Sequence, residues 1–364
     1  MVSAPVVLVT GGSGFIGSHV VDALVDAGAR VRVLDALIPA AHGAPPWYGN
    51  PSADYANADL TDHDAVRRAV EGIDAVSHQA SLVGLERDIR DAPAYVRNND
   101  LGTAELLGAL ADAGFDGRFV LASSMVVYGE GSYRCVTHGS VRPGSRDRDR
   151  LASGRFDPPC PACGADLVPE PVNEDATPDP RSVYAATKLH QEHLVACFAR
   201  ERGSVATALR YHNVYGERMP RDTPYAGVAS IFRSSLEAGR APEIFEDGGQ
   251  IRDFVHARDV ARANVSALLG PPATGAINIA SGAPRTIREM ADAMCTSFGS
   301  KNAAVVTGRF RPGDVRHVFA SADRARTVLG FEATTPFREG VAGFARSRLR
   351  EPSALRTGAN PDNG

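Results

Sequence analysis

The stretch from Pro5 to Gly28, PVVLVTGGSGFIGSHVVDALVDAG, decides the fold of this chain. Its first part, residues 5–10, is a continuous apolar run, which is typical of a strand buried on both faces of a parallel sheet. Its last part, residues 18–28, repeats apolar residues at helical spacing and ends on a glycine, a residue common just after a helix. A glycine-rich turn joins the two parts, so the stretch predicts a strand–turn–helix unit of an α/β protein.

The glycines of this turn have the spacing of a dinucleotide-binding motif. Gly11 permits the tight turn, Gly14 lets the backbone approach a pyrophosphate, and Gly17 lets the helix pack on the strand. The amides of Phe15 and Ile16 lie at the predicted helix N-terminus, where free N–H groups and the helix dipole attract phosphate. The alternative is a glycine turn without a ligand, which the strand before it and the helix after it disfavour.

Asp35 indicates which dinucleotide is bound. It ends the next buried strand, Val31–Leu34, and its carboxylate can accept hydrogen bonds from both adenosine ribose hydroxyls. A 2′-phosphate would meet this charge, and the following Ala36 and Leu37 provide no arginine to offset it. The sequence therefore predicts NAD rather than NADP.

The composition is ordinary for a soluble globular enzyme. The 364 residues are enough for one large or two joined domains, and 43% are hydrophobic and 23% charged. A net charge of −4 provides no basic field for nucleic acid or an anionic membrane. No apolar run approaches the roughly 18 residues that span a bilayer. The N-terminus lacks the charged and apolar regions of a signal peptide, so we expect a cytoplasmic protein.

Strand and helix patterns alternate along the first part of the chain. Apolar runs at Ala75–His78, Phe119–Ser123 and Ala206–Arg210 alternate with helical patterns at Ala65–Val70, Thr103–Ala113 and Tyr184–Arg202. This order predicts a Rossmann-type fold, a doubly wound parallel α/β sheet whose strands end along one ligand-binding edge. Beyond about residue 215 the alternation weakens, and the segments Ala276–Ile279, Thr286–Phe298 and Ala303–Val306 predict a smaller C-terminal lobe.

These patterns divide the chain into three parts. We expect residues 1–190 to form the NAD-binding Rossmann domain and residues 191–350 to form mainly a substrate-binding lobe, with some strands returning to the sheet. Residues 351–364 are polar and rich in turn formers, and we expect them to be disordered. Residues 131–172 fit neither domain and are interpreted as an insertion.

The insertion contains two short knuckles with metal-ligating residues. Cys135 and His138 form the first, and Cys160 and Cys163 form the second, each closed by a glycine. Three thiolates and one imidazole match a closed tetrahedral zinc site, and a short segment with little core gains stability from metal. The alternatives are a disulfide, which a cytoplasmic location disfavours, or unused surface thiols. The other two cysteines, Cys197 and Cys295, stand alone and are expected to be buried.

Three residues form a candidate catalytic set. Tyr184 and Lys188 are four apart at the start of a helix, so their side chains share one face. A free tyrosine has a pKa near 10, and a nearby ammonium would favour the phenolate that a base requires. Ser124 follows the fourth strand and can hydrogen-bond the same substrate hydroxyl. A Tyr-x-x-x-Lys pair alone usually marks a helix surface, and its significance comes from its position after the glycine turn and Ser124.

The chain resembles the extended short-chain dehydrogenases/reductases, and more closely their nucleotide-sugar epimerase/dehydratase group. The motifs that carry the resemblance are TGGSGFIG (10–17), SHQAS (77–81), NNDLGT (98–103), SSMVVYG (123–129), YAATK (184–188), RYHNVYG (210–216), IRDFVHARDV (251–260) and RPGDVRH (311–317). They cover roughly residues 5–345 apart from the insertion. The resemblance implies catalytic roles for Ser124, Tyr184 and Lys188. Besides the residues of the glycine turn and Asp35, it implies NAD contacts from Asp59, Leu60, Gln79, Ala80, Asn99, Tyr184 and Lys188.

The same resemblance implies where a nucleoside-diphosphate sugar binds. Asn213, Arg252 and Arg311 match residues that hold the diphosphate, and Ser124 contacts the sugar. Arginine suits phosphate oxygens, although an arginine alone is as often part of a surface ion pair. The group also implies a homodimer that pairs through the helices Thr103–Ala113 and Tyr184–Arg202.

The residues after Ser124 indicate the reaction. Similar 4,6-dehydratases have an Asp-Glu pair there, whereas this chain has Met125 and Val126, which exchange no protons. We therefore expect a 4-epimerase of the UDP-glucose type, which inverts carbon 4 of a UDP- or dTDP-sugar through a 4-keto intermediate and keeps its NAD. The alternatives are a 4,6-dehydratase or 4-ketoreductase of the same group, or a non-catalytic NAD-binding module. The zinc-ribbon-like insertion resembles that of some bacterial dTDP-L-rhamnose 4-epimerases.

Overall fold

The computed structural model describes residues 4–39, 41–84, 88–221 and 227–350. The tail at 351–364 lies outside the described residues, so its disorder stays a prediction. The strands are β1 (Val6–Thr10), β2 (Arg30–Asp35), β3 (Asp54–Asn57), β4 (Ala75–His78), β5 (Arg118–Ser124), β6 (Ser132–Cys135), β7 (Gly139–Val141), β8 (Val168–Glu170), β9 (Val205–Tyr211), β10 (Asn213–Tyr215), β11 (Glu243–Ile244), β12 (Ile251–Arg252), β13 (Phe254–His256), β14 (Gly275–Ile279), β15 (Arg285–Thr286) and β16 (Val305–Val306). The helices are α1 (Phe15–Asp26), α2 (His63–Val70), α3 (Ala92–Tyr95), α4 (Gly102–Asp112), α5 (Arg148–Ala152), α6 (Val183–Arg202), α7 (Val228–Glu237), α8 (Ala257–Leu269), α9 (Ile287–Phe298), α10 (Asp323–Leu329) and α11 (Phe337–Arg346).

The central sheet has seven parallel strands in the order β14-β9-β5-β4-β1-β2-β3. The strand order reverses at β1, so the carboxyl ends of β1 and β4 diverge and leave a crevice between the loops that follow them. The predicted doubly wound parallel fold is confirmed.

Side chains along β1 cover both faces of this sheet. Val7 and Val9 pack against α1 and α8 on one face, and Leu8 packs with α2, α4 and α6 on the other. All three side chains are fully buried. A strand buried on both faces has no solvent-facing positions, which explains the continuous apolar run.

A separate apolar core holds the smaller C-terminal lobe. Helices α7, α9 and α11 pack around Phe232, Met290 and Phe344, beside three short strand pairs. The assignment of Ala276–Ile279 to this lobe is wrong. These residues belong to β14, the edge strand beside β9, because the crossover through α8 returns the chain to the central sheet.

The insertion forms a small antiparallel sheet of its own, in the order β7-β6-β8. Its core contains Tyr133, Cys135, Cys160 and Leu167. Outside it, Cys295 is buried as predicted, but Cys197 is exposed, because it lies on the solvent side of α6 where Arg200 donates to its Sγ. Within the described ranges, no helix is both long and apolar enough to cross a membrane.

Candidate active site and metal cluster

Close backbone packing explains the glycines of the turn between β1 and α1. Gly11 has a φ of +68°, and a Cβ there would lie 2.6 Å from the amide nitrogen of Ala80. A Cβ on Gly17 would lie 2.1 Å from the carbonyl oxygen of Gly11, so the helix can approach the turn only with glycine there. Gly14 precedes α1 in an extended conformation and has no side chain to cap it. The first N–H groups of α1, from Phe15 and Ile16, therefore face no capping side chain.

A cleft opens over this turn at the carboxyl edge of the sheet. It is lined by Gly11, Gly14, Leu34, Asp35, Ala36, Ile38, Ala41, His42, Ala58, Asp59, Leu60, Gln79, Ala80, Ser81, Leu82 and Asn98. Seven residues of the predicted NAD site are among them. The other lining residues were not predicted from the sequence. Among them, His42 lies in a loop without any periodic pattern that could have indicated it.

Asp35 connects the glycine turn to the end of β2. One carboxylate oxygen accepts a hydrogen bond from the amide of Ser13 at 2.9 Å, and the other accepts one from Leu37 at 2.9 Å. His42 Nε2 lies 3.7 Å from the same carboxylate. Burial lowers the pKa of His42, although the charge of Asp35 opposes the shift. The carboxylate therefore lines the cleft and also fixes the main chain of the two loops beside it.

Asn99 fixes the segments beside the cleft through buried hydrogen bonds. It is fully buried in a π-helical turn, Val96–Leu101, a distortion often found at functional sites. Its amide nitrogen donates to the Leu82 carbonyl at 3.0 Å and to Thr187 Oγ1 at 2.9 Å, and its oxygen accepts from the Leu82 amide at 2.7 Å. Asn99 thus joins the loop after β4 to α6, and its neighbour Asn98 lines the cleft.

The structure brings the three predicted catalytic residues together. Ser124 ends β5, and Tyr184 is the second residue of α6, whose first turn is capped by the Ser182 side chain on the Ala185 amide at 3.1 Å. The Ser124 side chain lies close enough to the Tyr184 hydroxyl to lower its pKa. The Lys188 ammonium lies 5.9 Å from the centre of the Tyr184 ring.

Burial shifts the pKa values of Tyr184 and Lys188, the two candidate proton carriers on α6. It raises the pKa of Tyr184 to about 12, opposed by the hydrogen bond to Ser124. It lowers the pKa of Lys188 to about 7, opposed by the carboxylates of Asp100 and Glu192. Lys188 Nζ donates to the Ala122 carbonyl at 2.9 Å. A lysine with this pKa exchanges a proton readily near neutral pH.

A buried ion pair lies directly behind these residues, one turn further along α6. Glu192 accepts two hydrogen bonds from Arg210, at 2.9 and 2.8 Å, and a third from Ser123. Both charged side chains are nearly buried. This pair was not predicted from the sequence, although the four-residue spacing from Lys188 to Glu192 places both side chains on one face of the helix.

The predicted diphosphate residues lie on the C-terminal side. The Arg252 guanidinium donates to the main-chain carbonyls of Val315, at 2.7 Å, and Arg316, at 2.8 Å. Arg311 is exposed and lies 4.9 Å from the centre of the Phe245 ring. The side-chain oxygen of Asn213 is buried and has no hydrogen-bond partner among the described residues.

Asp314 lies close to both arginines. Burial raises its pKa, and the charges of Arg311, Arg252 and Arg146 oppose that shift. The two arginines thus share one neighbourhood with a carboxyl group that the sequence analysis had not singled out.

The four predicted metal ligands of the insertion also converge. The ligand atoms of Cys135, His138, Cys160 and Cys163 all lie within 4.8 Å of one another. Cys135 Sγ is 3.5 Å from His138 Nδ1 and 3.7 Å from Cys163 Sγ, and Cys160 Sγ is 3.7 Å from the same imidazole nitrogen. The four atoms can surround a single ion, and none of the three thiols forms a disulfide.

Comparisons with known proteins agree with this architecture. Residues 7–145 and 162–280 match the profile of the NAD dependent epimerase/dehydratase family. The chain is 31% identical over 347 residues to dTDP-L-rhamnose 4-epimerase of Burkholderia thailandensis, covering 94% of both chains. Among solved structures, Thermus thermophilus UDP-glucose 4-epimerase in complex with NAD has a TM-score of 0.74 at 30% identity, covering 93% of this chain and 97% of that one. Methanobrevibacter ruminantium UDP-N-acetylglucosamine 4-epimerase has a TM-score of 0.76 at 26% identity, covering 94% and 98%.

The profile match spans well over half of the chain, on both sides of a gap at residues 146–161 within the insertion. The family predicted from the sequence motifs is therefore confirmed. The chain belongs to the NAD dependent epimerase/dehydratase family.

Proposed function

We propose that this protein is an NAD-dependent 4-epimerase that inverts carbon 4 of a UDP- or dTDP-linked sugar. The observation that carries the proposal is the catalytic set of Ser124, Tyr184 and Lys188, followed by Met125 and Val126. The Val126 amide donates a hydrogen bond to Ser124 Oγ at 3.3 Å, so the main chain there orients the serine side chain. Neither side chain can supply the acid or base that elimination of water requires.

The cofactor site agrees with NAD in its chemistry. The glycine turn leaves backbone room for a pyrophosphate, and Asp35 places a negative charge where a 2′-phosphate would lie. Gly11, Gly14, Asp35, Asp59, Leu60, Gln79 and Ala80 would hold the cofactor within the cleft, and Phe15, Ile16 and Gly17 would face its phosphates. Bound NAD supplies a hydride acceptor, and then a hydride donor, at carbon 4 of the sugar.

The side chains of α6 and β5 handle the proton. Tyr184 Oη takes the proton of the 4-hydroxyl and later returns it, while Ser124 Oγ hydrogen-bonds the same oxygen. Because burial opposes the phenolate, Tyr184 depends on a positive charge beside it. The protonated form of Lys188 provides that charge, and Asp100 and Glu192 favour that form. Asn213, Arg252 and Arg311 hold the diphosphate during turnover.

The test of this function is the identity of the product. Purified protein is incubated with UDP-glucose, UDP-N-acetylglucosamine, UDP-glucuronate and dTDP-L-rhamnose, and the products are identified by NMR. We expect at least one substrate to reach an equilibrium between two carbon-4 epimers, with the NAD content of the protein unchanged. Release of a 4-keto-6-deoxy sugar would identify a dehydratase instead, and stoichiometric consumption of added NADH would identify a reductase.

A structural zinc ion in the insertion is part of the same proposal. Tetrahedral zinc, with bonds of about 2.3 Å to sulfur and 2.0 Å to nitrogen, places neighbouring ligand atoms about 3.5–3.8 Å apart. The distances of 3.5 and 3.7 Å in the cluster fit this geometry. Four protein ligands leave no open coordination position, so the ion would stabilise the insertion and take no part in the reaction.

Elemental analysis tests the zinc site. We expect about one zinc per chain as purified, and less in Cys160→Ser. Cys197→Ser is the matched control, because Cys197 is exposed on α6, away from the cluster. A full complement of free thiols without bound metal would exclude the site.

The resemblance also supports a homodimer through α4 and α6, which pack against each other on one face of the sheet. A light-scattering mass equal to a single chain would refute that arrangement.

A further inference from the structure

The two knuckles of the cluster both lie close to contacts with residues 315–317. In the first knuckle, Cys135 and Tyr133 are two apart on β6, so their side chains share one face, and both are buried. The Tyr133 hydroxyl donates to Glu130 Oε1 at 2.6 Å and accepts from the His317 amide at 3.2 Å. Glu130 Oε1 also accepts from the amide of Arg316 at 2.7 Å.

The loop before the second knuckle also hydrogen-bonds to residues 315–317. Asp157 lies three residues before Cys160, and its Oδ1 accepts from Arg316 Nε at 2.8 Å and from His317 Nε2 at 3.0 Å. The Arg316 side chain is 3% exposed. Each of the two metal-ligating segments therefore contributes one side chain that hydrogen-bonds to the same short stretch, Arg316 and His317.

That segment sets the position of Arg252. The carbonyls of Val315 and Arg316 accept from its guanidinium, and the His317 imidazole accepts from the Ile251 amide at 3.1 Å. The NAD cleft is lined by residues between Gly11 and Asn98, outside both the insertion and this segment.

We propose that the metal-bound insertion is a clamp that positions Arg252 for the sugar-nucleotide diphosphate. Tyr133, Asp157 and Glu130 act as positioning residues, and the metal fixes strand β6, which carries Tyr133, to the loop before Cys160, which carries Asp157. The dependence on metal follows from the small core of the insertion, in which two of the four buried apolar side chains, Cys135 and Cys160, are themselves ligands. The role of Arg252 in this inference rests on the proposed function.

Removal of the metal tests the clamp on the full-length protein. A chelator strips the metal, and the affinities for UDP and dTDP are measured by calorimetry, with NAD content and amide exchange of residues 314–318 followed in parallel. We expect weaker nucleotide binding by a factor of about 5 to 150, the usual range for coupled sites, faster exchange at 314–318, and unchanged NAD content. Unaltered affinity and exchange after complete metal loss would overturn the proposal.

A second arm keeps the metal and breaks one contact. Asp157→Asn should raise KM for the nucleotide sugar about tenfold with little change in kcat, whereas general destabilisation would reduce the active fraction and hence kcat. Asp175→Asn is the control, since Asp175 forms an exposed ion pair with Arg324. An Asp157→Asn variant with wild-type KM and full metal content would overturn the positioning role.

If the metal-bound protein binds neither UDP nor dTDP, the proposed function fails, and amide exchange at 314–318 still decides whether the clamp exists.

Discussion

The proposed active site has two sides: the cofactor side is the glycine turn after β1, and the substrate side is residues 315–317 beside Arg252. Different interactions hold the two sides in place. On the cofactor side, the turn after β1 is fixed by main-chain contacts so close that glycine is required. On the substrate side, residues 315–317 are fixed by buried charges, among them Arg316 with Glu246 at 2.9 Å and Arg146 with Glu246 at 2.8 Å. We therefore expect the cofactor side to be sensitive to side-chain atoms added at its glycines. We expect the substrate side to be sensitive to the loss of one partner of a buried ion pair.

The largest effect is expected on the cofactor side from Gly17→Ala. The new methyl group would lie 2.1 Å from the Gly11 carbonyl oxygen, so either the turn or α1 must move. We expect loss of bound NAD and of activity, measured by cofactor release on denaturation and by epimer formation. Gly343→Ala is the control, because Gly343 lies in α11 and a Cβ there would meet only Glu217 Oε1, at an ordinary contact distance of 3.6 Å. That control should gain about 0.5–1 kcal/mol of stability, and an NAD-replete Gly17→Ala protein would contradict the view of a rigid turn.

The next effect concerns Tyr184, where the two sides meet. Tyr184→Phe removes the proton acceptor and should lower kcat by about 10²- to 10⁴-fold. The NAD content should stay at the wild-type level, because the glycine turn is untouched. Tyr55→Phe, on a partly exposed edge-strand residue, should retain full activity. Substantial epimerase activity in Tyr184→Phe would assign the proton transfer to another group.

A smaller effect tests the substrate side through Arg316→Met. This change leaves Glu246 with fewer partners in a buried setting, and we expect a loss of about 3–5 kcal/mol in the free energy of unfolding. Arg309→Met breaks an ion pair whose side chains are more than half exposed, and should cost under about 1 kcal/mol. Equal losses in the two variants, measured by urea unfolding, would show that burial does not decide the strength of these pairs.

The smallest effect is on the pH dependence of the free energy of unfolding, which differs between the two sides. Burial, with a contribution from the charge of Lys188, lowers the pKa of His78 on β4 to about 3. The unfolded chain binds this proton near pH 6.5, so the stabilisation is present above that pH and is lost as the pH falls toward the folded value. Between pH 6.5 and 4.5 the loss should reach about 2–3 kcal/mol. Asp157, on the substrate side, has its pKa lowered by His317 and Arg316, so its contribution disappears only in stronger acid.

The variant His78→Gln tests this assignment. It should make the decline of the unfolding free energy between pH 6.5 and 4.5 less steep, as followed by urea titrations at half-unit steps. Part of the decline should remain, because burial also lowers the pKa of His19 and of His212 to about 4. A decline as steep as in the wild type would show that His78 is not the group that takes up the proton.

Local patterns made the cofactor side predictable from the sequence. The glycine spacing, the acidic residue at the end of β2 and the four-residue spacing of Tyr184 and Lys188 are each patterns that can be read from a few residues. The same holds for the four predicted metal ligands, since each knuckle is a short local motif. Asn99 shows the limit of such reading, because its position near the cofactor was predicted but its contacts to Leu82 and Thr187 were not.

The substrate side was less predictable because its contacts are distant in the sequence. Glu130 accepts from the Arg316 amide across 186 positions, and Arg146 reaches Glu246 across 100. Charged residues of either sign are frequent on any protein surface, so nothing in the local pattern distinguishes a buried partner from a solvated one. The correction at β14 has a similar origin, since its place beside β9 depends on the path of a distant crossover.

Helix α6 carries Tyr184, Lys188 and Glu192 at intervals of four residues, and this has a consequence for how such a protein can change over evolutionary time. Inserting or deleting one residue early in the helix would rotate everything beyond it by about 100°. Lys188 would leave the Ala122 carbonyl and Glu192 would leave Arg210 in the same event. We therefore expect length variation in segments such as the insertion rather than in the first turns of α6.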